Sequence, residues 1–230
     1  MQAGIASRGQ VVEREGPARR EAAAWDLGVL VAANAVVVVG LWWRQGGLRE
    51  IHDAASALTS AGRVTGMVGT YLALVQVLLL ARVPVVERAL GARRIAIWHR
   101  RNGRAVLALL LAHTVLITAG YAAEDDIGFV TQIARLLTDY EGVLLATIGL
   151  VLLVAVVGSS IGAARRRLGP RAWNAIHLTS YAALALAFLH ELATGHEFQQ
   201  QPVARAYWWA LSLGVAVAVV APRVARVRRA

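Results

Sequence analysis

The sequence predicts an all-α membrane protein, a six-transmembrane-helix bundle with both termini on the inner side. Three observations carry this expectation. Apolar residues make up 57% of the chain and charged residues 17%, whereas a soluble domain spends about a quarter of its residues on charge. Six windows approach the roughly 20 mostly apolar residues that a spanning helix needs. The basic residues, all of them Arg, gather on alternate segments between those windows, as the positive-inside rule requires. The high apolar content excludes a disordered chain. The absence of Cys excludes disulfides, thiolate zinc sites, iron–sulfur clusters and cysteine nucleophiles.

The elements follow in chain order. Residues 1–24 carry Arg8, Glu13, Arg14, Glu15, Arg19, Arg20 and Glu21 and are expected to form a flexible cytoplasmic tail. The first window, 25–43, ends on Trp42 and Trp43 and lacks a small-residue cleavage site, so it reads as a span and not as a cleaved signal. The other windows are 64–81, 103–122, 142–162, 173–193 and 206–221. All are unbroken and rich in Leu, Ala and Val, without the alternation of barrel strands. The expected organisation is therefore a tail (1–24), a six-span domain (25–222) and a basic cytoplasmic tail (223–230).

With the N-terminus inside, the inner segments hold 19 Arg and 5 acids, and the outer segments 5 Arg and 9 acids. The net charge of +10 is thus split into +14 inside and −4 outside. It reads as a topology signal for a protein in a lipid bilayer, and no nucleic-acid partner is expected. The absence of Lys, with the Ala and Val excess, is a composition bias of the genome and not a mechanism. All seven Trp fall near expected span ends, as an interfacial aromatic belt would place them.

Four of the six His lie on only two spans. His99 and His113 belong to the third, and His177 and His190 to the fifth. Ionisable side chains inside a membrane are costly and by default mark a functional site. The two spans run in the same direction, so His99 and His177 sit near the inner face. His113 and His190 lie about 20 Å farther out at 1.5 Å per residue. Neutral imidazoles paired at two depths suit the axial positions of haem iron in a helical bundle. Hydrogen bonding between helices and a proton path are the other readings of the same spacing. A spacing of 14 keeps His99 and His113 on one helix face, whereas a spacing of 13 leaves His177 and His190 about 140° apart. Either the fifth span is distorted or its two His are approached from different sides.

The stretch "RIAIWHRRNGRAVLALLLAHTVLITAGYA" resembles the third span of the ferric reductase-like transmembrane domain, the family of NADPH oxidases and iron-uptake reductases. The stretch "RRRLGPRAWNAIHLTSYAALALAFLHELATG" is similar to the fifth span, with the family's His spacings of 14 and 13. Upstream, "GRVTGMVGTYLALVQVLLLARVPVVERALGARRIAIWHR" looks like bacterial members, and the resemblance covers roughly residues 60–195. It implies a multi-pass protein of the bacterial plasma membrane with a di-haem core between spans three and five. Two haem b groups are implied, the inner held by His99 and His177 and the outer by His113 and His190. Arg100, Arg101 and Arg104, beside His99, would meet the inner haem propionates, or serve only as inside positive charge. Asn102 stands where the family has Leu, next to Gly103.

The resemblance implies electron transfer from a cytoplasmic-side donor to an outer acceptor of the ferric iron or oxygen class. No Gly-rich phosphate loop follows a strand, so neither FAD nor NAD(P)H is expected within this chain. The donor is then a separate cytoplasmic flavoprotein reductase or a quinol. A quinol-linked b-type cytochrome serving a partner enzyme and a non-haem membrane protein are the alternatives. Outside, Glu124, Asp125, Asp126, Asp139 and Glu141 make an acidic loop that would draw cations by its field. His52 and His196 also face that side.

Overall fold

The computed structural model describes residues 17–81, 83–195 and 201–227. They form seven helices: α1 (Pro17–Arg44), α2 (Ala54–Leu80), α3 (Pro84–Glu124), α4 (Phe129–Asp139), α5 (Val143–Ser159), α6 (Gly162–Thr194) and α7 (Pro202–Val227). No strand occurs among the described residues. Five helices are long and apolar enough to cross a membrane. The 17-residue α5 makes a sixth candidate when taken with α4 across a 113° bend. Large apolar side chains such as Val36, Val151 and Val217 are exposed around the bundle, which a soluble protein avoids on this scale and a bilayer requires. The chain is a multi-pass membrane protein.

The helices outrun the apolar windows because polar residues start them. Asp53 caps α2 in a reciprocal capping box with Ser56, so that the helix starts ten residues ahead of the expected span. The Ser56 hydroxyl and amide hold the Asp53 carboxyl below the usual carboxylate range. Helix α1 begins at Pro17, inside the expected tail, and residues 1–16 lie outside the described part. Helix α7 runs on to Val227, past the expected start of the second tail, and residues 228–230 lie outside the described part. The expected inner loop from 82 to 103 is largely the first part of α3, and the expected outer loop contains α4. Helix α4 is amphipathic, with Gln132 and Leu136 buried and Val130 exposed. It is tied to the end of α3 by Arg135 and Asp125, 3.5 Å apart.

Two helix pairs dominate the packing, α2 against α3 and α5 against α6. Helices α1 and α7 flank α2 through a cluster of Val38, Met67, Tyr71 and Trp208. Trp208 is 1% exposed, so it belongs to the core and not to an interfacial belt. Two hydrogen bonds reinforce this contact. Tyr71 Oη donates to the Val31 carbonyl at 3.0 Å, and Tyr207 Oη donates to Asn34 Oδ1 at 2.8 Å.

Candidate functional site

Helices α3 and α6 share one construction. Each has a short helical stretch, a Gly elbow and then a long apolar helix. Gly91 (φ 68°, ψ 156°) and Gly169 (φ 73°, ψ 167°) are the only non-helical residues inside them, in a region open essentially to Gly alone. His99 and His177 each follow their elbow by eight residues. The 13-residue step from His177 to His190 runs through uninterrupted helix. No break in that span absorbs the unequal spacing, so the two side chains leave the helix in different directions.

The first pair is direct. The rings of His99 and His177 lie 6.0 Å apart, centre to centre, at 60°. Two imidazoles that share one metal at roughly 2 Å per metal–nitrogen bond place their centres about that far apart. His177 Nδ1 is buried with no hydrogen-bond partner among the described residues. Trp173 stacks on the His177 ring at 4.8 Å, and the Arg165 guanidinium covers Trp173 at 4.3 Å.

His99 is buttressed from α2. Gln76 Nε2 donates to the His99 carbonyl at 3.0 Å and lies 2.7 Å from Nδ1 and 3.2 Å from Nε2 of the ring. Asn102 Nδ2 donates to Gln76 Oε1 and to the Leu72 carbonyl, both at 2.8 Å. Both backbone carbonyls can only accept, so they orient the two amides. A Cβ on Gly103 would lie 3.0 Å from Gln76 Nε2, so Gly103 leaves room for this amide. Sequence reading missed Gln76, although a Gln inside an apolar window is itself a signal.

The second pair faces a cavity. His113 donates its Nδ1 proton to the Gly62 carbonyl at 2.8 Å. That bond fixes the tautomer and leaves Nε2 with its lone pair, the arrangement of a metal-ligating imidazole. The ring fits because Gly66 has no side chain; a Cβ there would lie 2.6 Å from His113 Nδ1. His190 reaches the same space from α6. Thr194 Oγ1, which donates to the His190 carbonyl at 2.9 Å, lies 3.2 Å from His190 Nδ1. Both His line an apolar cavity of about 250 Å³, walled by Leu110, Ile117, Leu136 and Leu150. Arg63 is the one guanidinium lining it among the described residues, and it is ion-paired with Glu50.

These surroundings fit haem. They offer one pair of adjoining imidazoles, a second pair lining one apolar cavity, and a buried imidazole nitrogen without a partner among the described residues. No group of three or more His, Cys, Asp or Glu able to hold a metal ion occurs among the described residues. Arg100, Arg101 and Arg104 are exposed and line neither the His113–His190 cavity nor the one beside Trp173. His52 stands apart from both pairs, its Nδ1 bonded to the Glu50 carbonyl at 2.8 Å, and His196 lies outside the described residues.

No curated protein and no solved structure matches the chain. A family model described as "Ferric reductase like transmembrane component" matches residues 65–188, more than half of the chain. The matched segment contains His99, His113 and His177 and stops two residues short of His190. The chain belongs to the ferric reductase-like transmembrane component family.

Proposed function

We propose that this chain carries electrons across a bacterial plasma membrane through two b-type haems. It does so as a six-span bundle with both termini in the cytoplasm. His99 and His177 hold the inner haem, and His113 and His190 the outer. Haem iron between two imidazoles supplies one-electron chemistry and offers no open position for a substrate. The observation that carries this reading is that α3 and α6 bring His99 and His177 side by side and turn His113 and His190 onto one apolar cavity.

The chain's own side chains supply orientation and exclusion of water. The Gly62 carbonyl holds the His113 tautomer, and Gln76 with Asn102 holds His99. Leu110, Ile117 and Leu150 keep the outer site apolar. Arg63 would meet the outer carboxylates, and Arg100, Arg101 and Arg104 the inner ones. The donor is a separate cytoplasmic flavoprotein reductase or a quinol, and the acceptor outside belongs to the ferric iron or oxygen class.

A reduced-minus-oxidised spectrum of the purified chain, with a haem-to-protein ratio, tests this. Low-spin b-type bands and about two haems per chain are expected from two bis-His pairs. A chain without bound haem would overturn the reading.

A further inference from the structure

The matched elbows of α3 and α6 have diverged in their surroundings. Leu90-Gly91-Ala92-Arg93 and Leu168-Gly169-Pro170-Arg171 occupy equivalent places, each ahead of a Trp and a His. Around Gly91 the charge is partly neutralised. Arg94 meets Glu21 of α1 at 3.7 Å, and Glu87 lies one turn before the elbow. Trp98 turns inward and packs on the cluster of Ala24, Leu79 and Leu90.

Around Gly169 none of this happens. Arg165, Arg166, Arg167 and Arg171 make no ion pair among the described residues, and no acid occurs between 162 and 190. The elbow encloses an open cavity of about 810 Å³ bounded by Arg165, Arg166, Arg171, Trp173 and Asn174. Trp173 bridges this surface to the site, with Arg165 over one side and the His177 ring stacked against it. Charge asymmetry across a membrane asks only for Arg near the surface. It does not ask for a guanidinium, an indole and an imidazole in one stack.

We propose that the α6 elbow is the docking surface for an acidic one-electron donor protein, and that Trp173 is the contact through which the electron reaches the His177 side of the inner site. This rests on the haem reading above. One electron leaves the reduced donor and one ferric ion becomes ferrous, with no bond made or broken. Charge complementarity selects the partner: three guanidinium groups without carboxylates bound a concave surface that an acidic protein neutralises. The α3 elbow, where Arg94 meets Glu21 and Trp98 is packed inward, is left to hold α1.

The test uses the full haem-loaded chain in neutral-lipid nanodiscs, with flavodoxin, a small acidic flavoprotein, as the probe. Oxidised flavodoxin reports binding, and its hydroquinone reports the rate of haem reduction. The Arg165→Gln/Arg166→Gln/Arg171→Gln variant should weaken binding about tenfold or more, and high salt should do the same to the parent protein. Arg88→Gln/Arg93→Gln at the other elbow should bind like the parent. Trp173→Leu should slow haem reduction at saturating flavodoxin hydroquinone more than it slows reduction by dithionite, and Trp173→Phe should restore the flavodoxin rate. If the triple variant loses its haem bands, the single Arg166→Glu variant takes its place. Parent-like binding by the α6 variants, or equal weakening at both elbows, would overturn the docking surface. Parent-like reduction of Trp173→Leu would overturn the role of Trp173. A parent chain without haem would instead sink the electron-transfer reading, and the oxidised-flavodoxin arm would still decide the surface.

Discussion

His113 sits where α2 gives up two side chains for it. Gly62 presents a bare carbonyl, and Gly66 leaves the volume that the ring fills. If that ring holds the outer haem, His113→Ala and His190→Ala should each lower the ratio from about two haems per chain to about one, and His99→Ala and His177→Ala should remove the other. Haem assay with spectra of the four variants checks this; four variants with full haem would refute the ligand assignment. Gly66→Val should act like a mild His113 variant, since overpacking a tight contact costs about 1–3 kcal/mol. Partial loss of outer haem with α-helical content retained is the expected outcome by absorbance and circular dichroism. The four His were legible because an ionisable group in an apolar window stands out. Their buttresses were not. Gln76 and Asn102 lie 26 positions apart in sequence, and only the α2–α3 contact sets Gln76 on the His99 imidazole with Asn102 behind it. Arg63 counted only as an outer charge until the fold turned it toward a cavity.

At the scale of the helices, apolarity located the spans but not their starts. It skipped the capped first turns of α2 and the elbow-bearing first stretches of α3 and α6, because polar and basic residues there conceal the helix from a hydropathy window. Helix α4 was missed for a related reason. Its buried face is narrow and its neighbours are acidic, so the segment reads as loop. The 17 residues of α5 give roughly 25 Å of helix, short of a bilayer core, which explains why it qualifies only together with α4. The elbows make a prediction of their own. A side chain in the conformation of Gly91 or Gly169 costs on the order of 1–3 kcal/mol. Gly91→Ala and Gly169→Ala should each lower thermal stability in detergent, whereas Gly40→Ala, with open space around it, should not. Equal stability of all three variants would show that the elbows carry no backbone constraint.

For the whole molecule, the family and the helical membrane architecture were legible from composition, Arg placement and two His spacings. The pairing of helices was not, since no residue pattern specifies that α2 serves α3 while α5 serves α6. The 19-to-5 division of Arg predicts both termini in the cytoplasm. A C-terminal tag should be protected in intact cells and accessible after lysis; a tag reached from outside would reverse the inner and outer assignments. The claim on which the rest depends is that electrons cross the bilayer through this chain. Sealed proteoliposomes with ferricyanide trapped inside and dithionite added outside measure it directly. Trapped ferricyanide should bleach with the parent chain, and only at the background rate of protein-free vesicles with His113→Ala or His177→Ala. Bleaching that is unchanged in those variants, or absent with a haem-loaded parent chain, would contradict it.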